Sequence, residues 1–380
     1  MKRTLSLILA LTLSLSSLTA CAPQQSPTAA ATQPSQTAAS TEAPSAESSE
    51  AASGERTVTI LSDGTQAQVP AVVDKVAAIF GPAYERLVVL GAEDKIVMAS
   101  ASHKKAWPWS NLIYKRLGEI DVLENGTDLD TEVLLNKGTQ VAFCFGNPQT
   151  VEAINRAGMV AVPWDPSPEP FDNIKGILFR YADIVGGDAP ERAQKYADYF
   201  DEKMKLITDY TNTLTDEQKP TVYFASSGIE RSVGADSDVT EMIAYAGGTS
   251  LSKEIPGHSF VDVSLEQIIS WNPDHIFVDH IGVSQGQTID QVLAELTGDP
   301  KFASLQAVKD GRVYASPVGV FYWDSGVQCI LQLMWMAQKL HPEAFTDINM
   351  AEEVKYFYQE FFDYELTDEQ AQKILNLENP

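Results

Sequence analysis

The sequence predicts an α/β fold of two lobes, each with a mainly parallel central sheet, joined by a single long helix. Three observations predict it. Strand and helix patterns alternate from Lys75 to Val162 and again from Thr221 to Ala315, the order expected of a parallel sheet covered on both faces. Between them, from Phe171 to about Leu214, the pattern is almost entirely helical. An internal echo links the two halves. Asp130-Thr131-Glu132-Val133-Leu134-Leu135 leads to Gln140-Val141-Ala142-Phe143, and Ser264-Leu265-Glu266-Gln267-Ile268-Ile269 leads to Asp274-His275-Ile276-Phe277. In each, a glutamate in a first helical turn stands eleven residues before a strand phenylalanine, which points to a structural duplication.

The elements follow in order. Lys2 and Arg3 open the chain, Leu5 to Leu18 is an apolar run, and Leu18-Thr19-Ala20-Cys21 places small residues before a cysteine. This is the order of a secretory signal with its cleavage site, and it looks like the lipobox of bacterial lipoproteins. Residues 1–20 are therefore expected to be a signal peptide. The mature chain is expected to begin at a lipid-bearing Cys21 on the outer face of the cytoplasmic membrane. The apolar run falls short of the roughly 20 residues a bilayer crossing needs. Residues 21–55 are rich in Ala, Ser, Thr, Pro, Gln and Glu, without an aromatic residue. Such a stretch cannot bury a core and reads as a disordered tether reaching roughly 30 Å.

Folding is expected from Arg56. Thr57–Leu61 and Gln66–Val69 flank Ser62-Asp63-Gly64 as a hairpin. Lys75–Phe80, Lys95–Ala99, Gln140–Phe145 and Met159–Val162 read as strands, and Ala83–Leu90, Thr131–Asn136 and Val151–Ala157 as helices. Gly186-Gly187-Asp188-Ala189-Pro190 breaks the helical stretch, with Asp188 as N-cap and Pro190 in the first turn. Tyr196, Phe200, Met204 and Ile207 then repeat at helical spacing. Strands are expected at Thr221–Ala225, His275–Asp279 and Arg312–Ala315, and helices at Val239–Ala246, Leu265–Trp271, Gly326–Leu340, Ala351–Phe362 and Thr367–Leu375. The expected divisions are an N-terminal lobe at 56–187, a bridging helix at 188–218 and a C-terminal lobe at 219–380. A helix resists bending, so lobe closure is expected to be small.

The chain carries 52 acidic against 27 basic residues, a formal net charge of −25. That surface disfavours nucleic acid and anionic lipid, and does not by itself identify a cationic ligand. Cys144 lies in a strand pattern and Cys329 in a helix pattern, so both read as buried thiols rather than ligands. There is no GxSxG, HExxH or phosphate loop. Ser250–Lys253 and Ser102–Lys105 have the SxxK spacing of serine acylases but lack the companion motifs, which leaves a serine hydrolase as a weak rival. A protein for free zinc or manganese is the second rival. It needs several converging His and carboxylate ligands, and only His103, His258 and His280 fall near the predicted ligand loops.

Five motifs in order carry a family resemblance. They are Gly81-Pro82-Ala83-Tyr84-Glu85-Arg86-Leu87 with Leu90-Gly91, Glu132 with its downstream strand, and Val263-Ser264-Leu265-Glu266 leading to Trp271-Asn272-Pro273-Asp274. Ala303–Val308 and Gly311-Arg312-Val313-Tyr314 complete the set. Over roughly Arg56 to Leu375 the chain resembles the substrate-binding proteins of ABC importers for ferric siderophores, haem and cobalamin. The resemblance implies a ligand cleft between two α/β lobes, no catalysis, no intrinsic cofactor, and an ABC permease with its ATPase as partners. The implied cargo is an iron chelate, a ferric siderophore first, with a corrinoid or haem as alternatives. It also implies that Glu132 and Glu266 dock the permease, one per lobe; the alternative is that each merely favours the positive end of its helix. The protein is expected to be a monomer.

Ligands of paired α/β lobes meet loops at the carboxyl ends of strands. That rule selects His103, Lys105, Trp107 and Trp109 after the second strand of the first lobe, either as a clamp for an anionic or planar ligand or as a surface loop anchored by its indoles. It further selects Phe145, Asn147 and Trp164, then Arg231, His280, Tyr322 and Trp323. Arg231 is either a bidentate partner for an anionic group or a solvated arginine. At least one ring of Phe321-Tyr322-Trp323 is expected to line the cleft. The resemblance adds Tyr84 from the first motif, and His258 and Phe260 just before the Glu266 motif. A Met98–His258 pair is conceivable for haem, although Met98 reads first as core filling.

Overall fold

The computed structural model describes residues 54–380, apart from 124–128, 166–170, 172, 227, 280–287 and 325. The first two strands, β1 (Glu55–Thr59) and β2 (Gln66–Pro70), pair antiparallel around the expected turn. There the Asp63 carboxylate accepts the Thr65 N–H at 2.8 Å.

A five-stranded parallel sheet follows, in the order β5-β4-β3-β6-β7. Its strands are β3 (Val76–Ala78), β4 (Ile96–Ser100), β5 (Asp121–Leu123), β6 (Val141–Cys144) and β7 (Val160–Pro163). All four residues of β6 are buried, as an unbroken Val-Ala-Phe-Cys run requires when helices cover both faces. Those helices are α1 (Gly81–Val89), α2 (Ser102–Ala106), α3 (Pro108–Ile113), α4 (Thr131–Asn136) and α5 (Pro148–Arg156). Then come α6 (Asn173–Val185) and the 23-residue α7 (Ala189–Thr211), about 35 Å long at 1.5 Å per residue. Gly186 and Gly187, at φ of 65° and 64°, make the sharp turn between them, a left-handed conformation glycine adopts without a Cβ clash. Asp188 stands at the N-cap position, but its backbone is already helical and its side chain makes no capping hydrogen bond, contrary to expectation.

The second parallel sheet runs β10-β8-β12-β13, from β8 (Thr221–Ala225), β10 (Thr249–Ser250), β12 (His275–Val278) and β13 (Val313–Ala315). A separate antiparallel pair, β9 (Arg231–Val233) with β11 (Phe260–Asp262), stands beside it. The helices here are α8 (Asp238–Tyr245), α9 (Leu265–Trp271), α10 (Ile289–Thr297), α11 (Gln306–Lys309), α12 (Cys329–Leu340), α13 (Met350–Phe362) and α14 (Asp368–Leu375). The echo seen in the sequence has a topological counterpart. α4 precedes β6, which pairs with β3 and β7; α9 precedes β12, which pairs with β8 and β13.

One large apolar cluster runs through α1, α6, α7, α12 and α13. The expected repeat on α7 buries Tyr196, Phe200 and Ile207, and Tyr196 donates to the Val327 carbonyl at 2.7 Å. Cys144, Cys329 and Met98 are core residues, as read. His275 is buried with no hydrogen-bond partner for its Nδ1, and His341 is half-buried, its Nε2 3.0 Å from the Gly247 carbonyl.

Candidate functional site

At the carboxyl ends of β8 and β12 a cavity of about 250 Å³ opens. Ser226 directly follows β8 and Asp279 directly follows β12, and the serine hydroxyl donates to the buried Asp279 carboxylate at 2.6 Å. The first turn of α8 supplies Ser237 and Asp238. Ser237 caps that helix by accepting the Thr240 N–H at 3.1 Å. Burial pushes the Asp238 carboxyl up to about 6, and the nearby Asp324 and Glu241 charges add to this. His258, Ser259 and Phe260 form another wall, Tyr322 and Asp324 the last.

Backbone hydrogen bonds hold the wall that carries His258. Gly234 N–H donates to Ser259 at 2.9 Å, Ala235 to Ile255 at 2.8 Å, and Asp236 to Gly257 at 2.9 Å. A Cβ on Gly234 would lie 2.3 Å from the Gly257 carbonyl oxygen, so the two segments cross where only glycine fits. Phe260 is 48% exposed, and the Arg231 guanidinium sits 4.2 Å from its ring centroid.

The first sheet contributes aromatic rings at its own strand ends. Phe80 follows β3, Phe145 follows β6 and Trp164 follows β7. Phe145 packs edge-on against Phe80 at 4.6 Å, and Trp164 lies 6.4 Å from Phe80. Phe145 and Trp164 are 52% and 45% exposed. Asn147 is exposed but occupied in capping α5, accepting from the Gln149 N–H at 2.9 Å.

The segment from Ser102 to Trp109 is not a loop. It forms α2 and α3, and it packs inward. His103 is fully buried; its Nε2 donates to the Gly81 carbonyl at 2.7 Å, and burial holds the imidazole near 4, hence neutral. Trp107 and Trp109 are buried, and Trp109 Nε1 donates to the Glu378 carbonyl at 2.9 Å. Tyr84 is buried with its hydroxyl on Glu93 at 3.0 Å, and Trp323 is buried with Nε1 on Gln328 at 3.0 Å. These five side chains face the interior rather than open space, and the Nδ1 of His103 has no hydrogen-bond partner there. Lys105 stays exposed at the surface of α2. Of the Phe321-Tyr322-Trp323 run, only Tyr322 lines the cavity.

Glu132 and Glu266 are both exposed, in the first turns of α4 and α9 behind the caps Asp130 and Ser264. Cys21 and His280 lie outside the described residues. The three cavity carboxylates, Asp238, Asp279 and Asp324, are the residues that sequence reasoning missed. Asp279 had a signal: it is the residue that ends a predicted strand.

A family model described as periplasmic binding protein matches residues 167–318. That stretch, under half of the chain, resembles the periplasmic binding protein family. A curated periplasmic relative, the molybdate-binding protein MolA of Haemophilus influenzae, is 27% identical over 161 residues, 42% of this chain and 43% of that protein. The match thus spans less than half the length of that relative. Solved structures extend the likeness in fold. A periplasmic solute-binding protein of Veillonella parvula is 24% identical with a TM-score of 0.70, covering 85% of this chain and 98% of that one. MolA bound to molybdate gives 18% and 0.69 over 82% and 99%. The CeuE protein of Helicobacter pylori, as its nickel–histidine complex, gives 20% and 0.67 over 85% and 99%. At these identities the structures show a common periplasmic-binding fold, not a common cargo.

Proposed function

We propose that this protein is the substrate-binding component of an ABC importer. It captures a metal chelate in a cleft between its α/β halves and delivers it to a permease driven by an ATPase. An iron chelate of the ferric siderophore type is the cargo favoured here, with a corrinoid or haem as the alternative. The observation that carries the reading is the cavity at the carboxyl ends of β8 and β12, with Ser226 and Asp279 at its floor and Phe260 and Tyr322 on its walls. Strand ends are where α/β folds place ligands, and a mixed aromatic and polar lining suits a chelate better than a bare ion. The half-exposed Phe145 and Trp164 supply apolar surface at the strand ends of the other half.

The lobes of this reading are 56–187 and 219–380, with 188–218 as the bridge. Cys21 carries a lipid that holds the protein on the outer face of the cytoplasmic membrane. The ligand contacts are narrowed to Phe145, Trp164, Arg231, His258, Phe260 and Tyr322, together with the cavity carboxylates. Glu132 and Glu266 dock the permease.

Thermal-shift measurement of the protein with ferric siderophores, haem, corrinoids and free metal salts tests the reading. A bound cargo raises the melting temperature by an amount that grows with the logarithm of its concentration over its dissociation constant. We expect an iron chelate to do so. A melting temperature that none of these compounds moves would overturn the proposal.

A further inference from the structure

We infer that Glu85 is a positioning residue for the cavity: from α1, beside the first sheet, it sets the place of the segment that carries Tyr322 and Asp324 into the cavity beside the second. This goes beyond the importer reading and takes from it only that the cavity holds cargo. Glu85 is fully buried, and its Oε1 accepts the Val327 N–H at 3.2 Å. The next residue, Gln328, is also fully buried and grips both neighbours of Tyr322. Its Oε1 accepts from Trp323 Nε1 at 3.0 Å, and its Nε2 donates to the Phe321 carbonyl at 3.4 Å. The Tyr358 hydroxyl of α13 donates to the same Oε1 at 2.8 Å and accepts the Val320 N–H at 3.2 Å. Ser110 of α3 donates to the Val320 carbonyl. A Cβ on Gly319 would collide with the Tyr358 hydroxyl, and one on Gly326 with Glu85 Oε1, so the chain passes both anchors where only glycine fits. Tyr322 and Asp324, held between these anchors, line the cavity; Glu85, Gln328 and Tyr358 are not among its described lining residues.

The anchor works as a neutral acid. Burial pushes the Glu85 carboxyl up to about 8, against the opposing effects of Arg86 and of the Val327 and Gln328 donors. Its Oε2 is buried without a hydrogen-bond partner, which is the place for the proton. The titratable groups facing it are Arg86 on α1, Tyr114 after α3, Tyr196 on α7, Cys329 on α12 and Tyr358 on α13. Burial raises the three tyrosines and the thiol, so they stay neutral and Arg86 is the one charge among the five. Gly326 and Val327 lie directly on the carboxyl. When they lift, it meets water and ionises in the ordinary carboxylate range. The closed segment therefore holds the proton more tightly than the open one, and raising the pH towards about 8 favours opening.

The test is hydrogen exchange read by mass spectrometry on the full chain, wild type and Glu85→Gln, across the pH range and at low urea. Glutamine keeps the acceptor for Val327 and cannot ionise. We expect the ratio of wild-type to variant exchange over 319–328 to rise at least about tenfold from pH 6 to 8 and then to level. Opening confined to this segment exposes little surface, so its exchange should ignore low urea while that of β6 accelerates. A second arm measures at pH 6 the calorimetric affinity for the ferric complex of a linear trihydroxamate. Glu85→Ala should weaken it at least about tenfold, and Glu85→Gln should leave it unchanged. A flat exchange ratio, or urea sensitivity equal to that of β6, would make Glu85 a general stabilising residue and overturn the proposal, as would normal affinity in a folded Glu85→Ala. Where the alanine variant does not fold, the exchange arm decides alone. A wild type that binds neither this chelate nor haem nor a corrinoid would count against the importer reading, with the exchange arm still deciding the role of Glu85.

Discussion

The imidazole of His103, on α2 beside the first sheet, lies 5.2 Å from the ring of Phe321, which belongs to the segment leading into α12 beside the second. Trp107 meets the same phenylalanine at 5.2 Å, and Phe321 in turn lies against the cavity residue Tyr322 at 4.0 Å. A chain of buried rings thus ties the first half of the molecule to the wall of the cavity. Phe321 is the shared member, and it is 3% exposed. We expect Phe321→Ala to cost roughly 3–5 kcal/mol, the usual result of emptying a buried aromatic site. Urea unfolding measures this. A loss below about 1 kcal/mol would show that the rings are not a brace.

Glu85 gives a pH dependence of definite sign. It is fully buried on α1, its Oε1 accepts the Val327 N–H at 3.2 Å, and burial pushes its carboxyl up to about 8 against the partial relief of Arg86. The folded state therefore holds this proton more tightly than the unfolded chain. Stability from this group is complete below the ordinary carboxylate range, falls as pH rises towards about 8, and is level above it. Burial of His103 and His275, both held near 4, acts oppositely but only below the ordinary imidazole range. Between about pH 6.5 and 8 the carboxyl slope should therefore stand alone. We expect stability there to fall by the order of 1 kcal/mol or more, and Glu85→Gln to flatten the curve. Chemical denaturation at four pH values decides it, and an unchanged slope in the variant would reject the assignment.

Most of both parallel sheets was legible in the sequence, because the central strands are short apolar runs between clear helical repeats; the edge strands β5 and β10, three and two residues long, were not expected. β6 is Val-Ala-Phe-Cys and β12 is His-Ile-Phe-Val, each with an amphipathic helix before it. The β9–β11 pair was not legible. Arg231–Val233 and Phe260–Asp262 are three residues each, carry a charge, and pair across a long separation. The Ser102–Trp109 segment misled for a related reason. Its charges and indoles resemble a surface loop, and what buries it are the distant Phe321 and the Glu378 carbonyl. The cavity carboxylates have no local pattern either. Asp238, Asp279 and Asp324 come from three separate segments, and the cavity brings them to one place.

Gly234 offers a test of the wall that carries His258 and Phe260. A Cβ there would meet three backbone atoms of Gly257 within 2.8 Å, and backbone cannot swing aside as a side-chain tip does. Gly234→Ala should therefore push the two segments apart and reduce chelate affinity at least about tenfold, with 1–3 kcal/mol lost in stability. Gly118, where an added Cβ meets nothing within 4 Å, is the matched control, and its alanine variant should bind normally. Normal binding by Gly234→Ala as well would mean the wall does not touch cargo.

If Glu132 and Glu266 dock the permease as proposed, their removal separates transport from binding. Glu132 and Glu266 are exposed and occupy equivalent places, each in the first turn of the helix that precedes an inner strand of its sheet, β6 beside β3 and β12 beside β8. Neighbouring apolar side chains, Val133 and Leu135 on α4 and Ile269 on α9, are also exposed, as a surface destined for contact would have them. Two separated charges fix the orientation of a partner as well as attracting it. Removing both costs each helix only the favourable placement of an acid at its positive end, about 0.3–1 kcal/mol. We therefore expect Glu132→Ala with Glu266→Ala to fold and to bind cargo with unchanged affinity, while uptake of radiolabelled iron chelate by cells is abolished. Each single variant should be impaired less than the pair. Normal uptake by the double variant would return both glutamates to the role of helix-end charges.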